Sequence, residues 1–367
     1  MRTNLFLCSG LLLVALGMLT AGCKIEKIDS TADNAAGASD QPAASDVKQN
    51  DGDQTRVAYV TNGIASFWVI AEAGCQAAAK DLGVECLVRM PDGAAEQKRM
   101  LEELNSMNLA GVAVSPINPE NQTGILNELA ASTNLITQDS DAPKSNRLAY
   151  IGMNNYDAGR MCGKLIKEAI PDGGEVIIFV GRLGQLNADQ RRQGIIDELL
   201  DRSNDPQRAF DPADQVLKGD KYTVLDTRTD NFDFAQAKSR AEDAIAKYPN
   251  VSCMVGLFAY NPPNIIEAIR GAGKQDQIKV VGFDEDDRTL QAIQMGDCYG
   301  TVVQNPYQYG YKSVEMLTKL AAGDQSAIPE GGIIHIPARS IRQDNVDEFW
   351  DELKALIRQA ESGAATK

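Results

Sequence analysis

The sequence has few of the residues on which most catalytic and nucleotide-binding sites depend. Its only histidine, His335, lies in the apolar stretch 333–337, so an HExxH zinc site is excluded and a Ser-His or Cys-His triad has a single candidate with no obvious nucleophile. We expect His335 to be a strand residue. No GxxxxGK[ST] phosphate loop occurs, because Gly163-Lys164 is followed by Leu165 and Gly273-Lys274 by Gln275.

Basic residues are also too few for a nucleic-acid partner. The chain has 36 Lys and Arg against 51 Asp and Glu, a net charge of −15, whereas phosphate binding needs a basic face. No pair of the seven cysteines has CxxC or metal-ligand spacing. Apart from two near the N-terminus, we predict small buried side chains rather than a disulfide framework, at Cys75, Cys86, Cys162, Cys253 and Cys298. We expect neither a metal nor a cofactor.

The N-terminus predicts export. Arg2 precedes an apolar run from Leu5 to Leu19, which is short for a membrane span of roughly 20 residues, and Thr20-Ala21-Gly22-Cys23 follows. These four residues resemble the lipobox of bacterial lipoproteins, in which the cysteine is acylated and becomes the mature N-terminus. The alternatives are an ordinary signal peptide and a helix that stays in the membrane. We predict a signal peptide at 1–22, lipidation of Cys23, and anchoring by lipid alone on the periplasmic or cell-surface face of the membrane.

The next segment differs from the rest of the chain. Residues 23–54 are rich in Ala, Ser, Asp and Asn and contain no aromatic residue, so they cannot bury enough surface to offset the entropy lost on ordering. We predict a disordered tether there. The remaining residues, about 310, exceed one typical core and favour two domains.

The body of the chain has an α/β pattern. Short β-branched runs alternate with helical patterns from Arg56 to Ala169, and the alternation starts again at Glu175. Continuous apolar strands between helices predict parallel sheets covered on both faces, so two such series predict two doubly wound, Rossmann-like lobes. The charged, proline-containing stretch 202–221 is interpreted as a surface insertion. Ligands of such sheets bind beyond the carboxyl ends of the strands.

Residues suited to a carbohydrate stand at those ends. Phe67 and Trp68 follow the first strand, Asp139 and Asp284 each follow an apolar strand, and Gln304 ends another. A further candidate, Arg191, lies in the helix after the strand 175–180. Carboxylates, amides and guanidinium groups bridge neighbouring hydroxyls, and charged hydrogen bonds are the stronger ones. Flat aromatic rings can cover the C–H face of a sugar ring.

In these stretches the chain resembles the ribose/galactose-type periplasmic sugar-binding proteins, the solute receptors of ABC importers. The resemblance covers about residues 56–342 and rests on Ser66-Phe67-Trp68, Leu135-Ile136-Thr137-Gln138-Asp139, Gln190-Arg191-Arg192-Gln193-Gly194, Val280-Val281-Gly282-Phe283-Asp284 and Thr301-Val302-Val303-Gln304. It implies the type I periplasmic-binding-protein fold, with a three-segment hinge near 153–155, 304–306 and 333. The implied lobes are 55–153 with 305–333, and 154–304 with 334–361, the latter including a C-terminal helix.

The resemblance also implies the binding residues. Phe67, Trp68 and Phe232 match the family's aromatic sandwich, and Asp139, Arg191, Asp284 and Gln304 its hydroxyl-binding set. Smaller or apolar residues replace polar groups of the ribose receptors at Ala65, Ser115, Ser140 and Phe258. Phe258 and the nearby Asn261 remain candidate ligand residues. Asn154 and Asn155 lie near the first crossing, where Asn155 is a candidate ligand residue and either could instead bend the chain. These departures favour a pentose, hexose or polyol other than ribose.

Each candidate also has a structural interpretation. Phe67 and Trp68 could belong to the core, Asp139 and Asp284 could cap turns, Arg191 could form a surface ion pair, and Phe234 could replace Phe232.

We therefore predict a monomeric, non-enzymatic lipoprotein that captures a monosaccharide or polyol and delivers it to an ABC transporter permease and ATPase complex. The alternatives are a receptor that presents its ligand to a membrane sensor and, since two carboxylates stand at strand ends, a glycoside-processing enzyme.

Overall fold

The computed structural model describes residues 54–364, and their side chains as far as residue 358. Within this range, two β-sheets are each covered on both faces by helices. The predicted signal peptide, the lipidation site Cys23 and the tether, except for Gln54, lie outside the described residues. No helix among the described residues is long and apolar enough to cross a bilayer.

The first sheet has six strands, all paired in parallel. The strands are β1 (Arg56–Val60), β2 (Glu85–Arg89), β3 (Gly111–Val114), β4 (Asn134–Gln138), β5 (Ala149–Gly152) and β12 (Ile333–His335). Their order in the sheet is β12-β5-β4-β3-β1-β2. The helices on its faces are α1 (Ser66–Leu82), α2 (Ala94–Asn105), α3 (Pro119–Ser132) and α9 (Pro306–Ala321). Successive β1 residues face opposite cores: Val57 and Tyr59 pack with α1 and α9, whereas Ala58 and Val60 pack with α2 and α3. His335 is a strand residue, as predicted.

The second sheet has seven strands in the order β13-β11-β10-β9-β6-β8-β7. These are β6 (Gly174–Val180), β7 (Leu217–Lys218), β8 (Tyr222–Thr229), β9 (Val251–Gly256), β10 (Lys279–Phe283), β11 (Gly300–Val303) and β13 (Arg339–Arg342), accompanied by α4 (Asn155–Ala169), α5 (Leu186–Leu199), α6 (Phe234–Lys247), α7 (Asn261–Gly271), α8 (Asp287–Met295) and α10 (Val346–Ala364). The predicted parallel pairing is confirmed for the inner strands. The two edge strands, β7 and β13, pair antiparallel, which the apolar pattern did not indicate.

The chain passes between the sheets three times. It leaves the first sheet after Gly152, crosses back between Val303 and Pro306, and crosses again between His335 and Arg339. The third passage follows β12, two residues later than the resemblance implied, because 334–335 pair with β5 in the first sheet. We call the part built on each sheet the first lobe and the second lobe; the other predicted boundaries stay a prediction.

Close helix packing supports the first lobe. A Cβ added to Gly74 of α1 would lie 2.0 Å from the Tyr307 carbonyl oxygen, and one added to Gly310 of α9 would lie 2.0 Å from that of Ala71. Glycine at both positions therefore lets the two helix backbones approach each other. The five cysteines of the described residues are buried and unpaired, in agreement with their interpretation as small apolar side chains.

Candidate ligand-binding site

A cavity of about 480 Å³ lies where the carboxyl ends of the strands of both sheets meet. Its lining follows β1–β4 in the first lobe and β6, β8, β9, β10 and β11 in the second, as expected for doubly wound sheets. The lining residues are Asn62, Gly63, Ile64, Ala65, Phe67, Trp68, Pro91, Asp92, Gly93, Ile117, Asp139, Arg182, Gln185, Asn187, Arg191, Asn231, Phe232, Phe234, Phe258, Ala259, Tyr260, Asp284 and Gln304.

Arg191 lies at the floor of the cavity between the two lobes. Its guanidinium donates through Nε to Oδ1 of Asn155 at 3.0 Å and through Nη1 to the Leu257 carbonyl at 3.1 Å. Nη2 is 3.8 Å from Asp139 of the first lobe, and Nη1 is 4.0 Å from Asp284 of the second. The Nη2 atom is buried and has no hydrogen-bond partner among residues 54–358. The cation thus lies between two carboxylates and keeps one unpaired donor.

Asp139 is fixed by polar contacts from both lobes. Its Oδ2 accepts from Ser115 Oγ at 2.9 Å, Asn62 Nδ2 at 3.2 Å and, across the lobes, Asn187 Nδ2 at 3.4 Å. Burial raises the pKa of Asp139 to about 6, although Arg191 and the Ser115 hydrogen bond oppose that shift. Its backbone is left-handed (φ 57°), which turns the side chain out of the strand direction.

Asp284 occupies the corresponding place in the second lobe. It too is left-handed (φ 68°), and its Oδ1 accepts from Gln304 Nε2 at 2.7 Å. The amide of Gln304 is oriented because its Oε1 accepts from the Tyr309 hydroxyl at 3.1 Å. Burial raises the pKa of Asp284, and Arg191 opposes the shift. The two aspartates therefore stand at the ends of β4 and β10, facing one guanidinium.

Phe67 and Trp68 serve the core and the cavity at once. Both lie in the first turn of α1, both are buried, and both line the cavity. Their rings pack edge to face with centroids 4.8 Å apart, and the centroid of the Phe67 ring also lies 6.4 Å from that of Tyr309. The core and ligand interpretations of this pair are therefore compatible.

The second lobe contributes a larger aromatic wall, formed by Phe232, Phe234, Phe258 and Tyr260. The Phe232 and Phe258 rings stack with their centroids 5.6 Å apart and 15° between their planes. The ring centroids of Phe234 and Tyr260 are 4.7 Å apart. Phe232 and Phe234 both line the cavity, so neither replaces the other.

Buried Asp230 holds this wall in place. It accepts from the Tyr260 hydroxyl at 2.5 Å, from Asn261 Nδ2 at 2.9 Å and from the Phe232 amide at 2.9 Å. Phe232 has a left-handed backbone (φ 65°), a conformation that the bond to Asp230 helps to hold.

The chain also matches known proteins over most of this region. A family model described as "Periplasmic binding protein domain" matches residues 57–325. The chain belongs to the periplasmic binding protein family.

Curated relatives of this periplasmic binding protein agree with the match. The ribose import binding protein of Haemophilus influenzae is 24% identical over 264 residues, 71% of this chain and 82% of the relative. The D-allose-binding periplasmic protein of Escherichia coli is 23% identical over 263 residues, 68% and 79% of the two chains. The family places the working location outside the cytoplasm.

Solved structures share the fold. An ABC transporter solute-binding protein from Burkholderia graminis, crystallised with D-arabinose, superposes with a TM-score of 0.71 at 25% identity, covering 81% of this chain and 98% of its own. GanP, a glucose-galactose binding protein from Geobacillus stearothermophilus, gives a TM-score of 0.71 at 24% identity, covering 80% and 99%. The two-lobed fold predicted from the sequence is confirmed.

Two predicted ligand residues of this binding protein lie behind the cavity surface. Asn155 does not line the cavity. Its Oδ1 accepts a hydrogen bond from Arg191, and its Nδ2 lies 3.4 Å from the Tyr150 hydroxyl. Asn261 accepts from the Phe258 amide at 3.1 Å and donates to Asp230. In the structure both position residues that do line the cavity. Of the residues replacing family polar groups, Ala65 lines the cavity, Ser115 bonds Asp139, and Ser140 is buried.

Several lining residues were missed from the sequence. Asn62, Gln185 and Asn187 are polar and line the cavity; Asn62 lies two residues after β1, whereas Gln185 and Asn187 lie at the start of α5, the helix that follows β6. Attention to polar residues beyond a strand's carboxyl end and in the first turn of the next helix, rather than to charged and aromatic ones, could have found them.

Proposed function

We propose that this periplasmic binding protein captures a sugar between its lobes and presents it, chemically unchanged, to an ABC transporter. The observation that carries the proposal is the arrangement of Asp139, Arg191 and Asp284 at the floor of the cavity. One cation lies between carboxylates from different lobes, so a polyhydroxylated ligand placed there can bond to both lobes at once. The relatives support it, because three of the proteins named above are described as binding ribose, D-allose or D-arabinose.

The site chemistry suits neutral hydroxyl groups. The two carboxylates accept hydrogen bonds and Nη2 of Arg191 donates, while two carboxylates and one guanidinium carry a net charge of about −1, which disfavours an anionic ligand. Phe258 adds an apolar surface where the ribose receptors have a polar group, so we propose a pentose, hexose or polyol other than ribose itself.

Closure of the lobes supplies the selectivity. Asn187 and Arg191 of α5 reach Asp139 across the cleft, so these contacts form only when the lobes approach. A ligand hydroxyl in the wrong orientation would leave a buried charged group without its partner, at a cost of about 1–3 kcal/mol. Each misplaced hydroxyl thereby weakens binding by about five-fold to a hundred-fold or more.

The same arrangement argues for binding rather than hydrolysis. A glycosidase acid and base need two carboxyl groups free to exchange protons with substrate and water. Here Asp139 and Asp284 both face Arg191, and hydrogen bonds from Ser115 and Gln304 hold their oxygens. The family relatives are likewise binding proteins.

Anchoring and delivery complete the proposal. Acylation of Cys23 would hold the mature monomer on the outer face of a membrane, with the segment 24–54 as the link to the folded part. The permease and ATPase of an importer would then receive the sugar from the closed form.

A thermal-shift screen with D-ribose, D-allose, D-arabinose, D-galactose, D-xylose and ribitol tests the proposal, followed by calorimetry on each responder. A cognate sugar at about 100 times its Kd should stabilise the protein by about 2.7 kcal/mol and bind one to one without product formation. Failure of the whole panel to bind, or turnover of a bound sugar, would contradict it.

A further inference from the structure

Gln185 has a buried side-chain amide that makes no hydrogen bond to any residue the structure describes. It precedes the first turn of α5, lines the cavity and is 1% exposed. Its Oε1 and Nε2 both lack a hydrogen-bond partner. A buried amide without a protein partner costs stability.

Every other buried glutamine of the described residues makes at least one hydrogen bond, although Gln138 also has an unpartnered Oε1. Gln97 donates to two carbonyls and accepts from the Ile117 amide, Gln193 bonds Asp197 and Asp211, and Gln304 bonds Asp284 and Tyr309. Their amides hold parts of the protein together. Gln185 holds nothing, so its donor and acceptor are left for whatever enters the cavity.

Gln185 is separated from Arg191 along the chain. It is the N-cap residue of α5, and Arg191 follows six residues later within that helix, a backbone rise of about 9 Å along the axis. The cavity of about 480 Å³ exceeds the roughly 200 Å³ that a hexose fills at the density of an organic crystal. Space and hydrogen-bonding groups therefore remain after a single sugar ring is placed against Asp139, Arg191 and Asp284.

We propose that Gln185 binds a second polar group of the ligand, outside the ring held at Arg191, and that the ligand is accordingly a glycoside rather than a free monosaccharide. The aromatic wall of Phe232, Phe234, Phe258 and Tyr260 provides a face for the added group. This inference rests on the proposed sugar-binding function and narrows its ligand class.

The test compares free sugars with matched glycosides. Calorimetry is run with D-ribose and uridine, and with D-galactose, lactose and phenyl β-D-galactoside, on the wild-type protein, Gln185→Leu and Gln190→Leu. Gln190 is the matched control, since it is a glutamine of α5, five residues after Gln185, that does not line the cavity. In at least one pair the glycoside should bind ten-fold or more tightly than its parent sugar. Gln185→Leu should remove that advantage while Gln190→Leu preserves it, because two lost hydrogen bonds correspond to about ten-fold or more in affinity.

The ligand-free proteins give an independent readout. Removing an unpartnered buried amide should raise the Tm of Gln185→Leu by roughly 2 °C or more. A lower Tm would show that Gln185 supports the fold and would overturn the inference, as would a glycoside advantage that survives Gln185→Leu. If free sugars bind and no glycoside exceeds its parent, the inference fails and the proposed function stands. If no compound binds, both fail.

Discussion

Replacing Arg191 by methionine should disable binding and also weaken the fold. The change removes two hydrogen bonds and leaves Asp139 and Asp284 buried without the cation they share. Breaking a buried ion pair in this way costs about 3–5 kcal/mol of unfolding free energy at neutral pH. Part of that loss should be recovered as the pH is lowered into the acidic range, because burial raises the pKa of both carboxyls and protonation removes their uncompensated charge. Loss of the charged hydrogen bond to a ligand should lower sugar affinity by about ten-fold to a hundred-fold.

The neighbouring Arg192 provides a matched control. It is also buried and donates to Thr227 at 2.8 Å and to the carbonyls of Asp211 and Pro212, but it does not line the cavity. Arg192→Met should lose stability and keep the affinity of the wild-type protein. Urea unfolding at several pH values and calorimetry with the best sugar of the screen measure both quantities. Unchanged affinity in Arg191→Met, or equal losses of affinity in the two variants, would refute the assigned role of Arg191.

Three further predictions concern other parts of the chain. Because burial raises the pKa of Asp139 to about 6, the folded carboxyl keeps a proton between about pH 4 and 6 that the unfolded one has released. As the pH rises from about 4 to 6, the unfolding free energy of the wild-type protein should therefore fall by up to about 3 kcal/mol relative to that of Asp139→Asn. A difference between the two proteins that does not change with pH would argue against this burial effect. Gly74→Ala should destabilise the fold by about 1–3 kcal/mol because its Cβ would meet the Tyr307 carbonyl. Gly124→Ala, whose Cβ would lie in open space within α3, should instead stabilise the fold by about 0.5–1 kcal/mol. Thermal unfolding of the two variants measures both changes, and equal effects would contradict the packing argument. Cys23→Ser should abolish incorporation of labelled palmitate and release the protein from membranes, and retention on the membrane would count against the lipid anchor.

Local patterns predicted most of the architecture. Continuous apolar strands such as Val176–Val180 fix burial on both faces and hence helices on both sides, as the structure shows. The antiparallel edges were not predictable in this way. A two-residue strand at Leu217–Lys218 carries too little pattern, and the direction of β13 depends on the short return from β12 rather than on its own residues.

The candidate site was predictable where a residue's position in the chain decides its place. Asp139 and Asp284 end apolar strands, and the cavity forms at those ends. Side-chain direction is set by tertiary packing, so the sequence could not show that Asn155 would turn toward Arg191 or Asn261 toward Asp230. The sequence also could not predict that the Gln185 amide lacks a hydrogen-bond partner, because this depends on which polar groups the tertiary fold places near it.

A crystal structure of the protein with the tightest-binding sugar of the screen tests the central claim most directly. We predict that the sugar ring lies between the lobes, unaltered, with hydroxyl groups within 3.2 Å or so of the carboxylates of Asp139 and Asp284 and of Nη2 of Arg191. A sugar bound elsewhere, or one held by a single lobe without those three groups, would contradict the account.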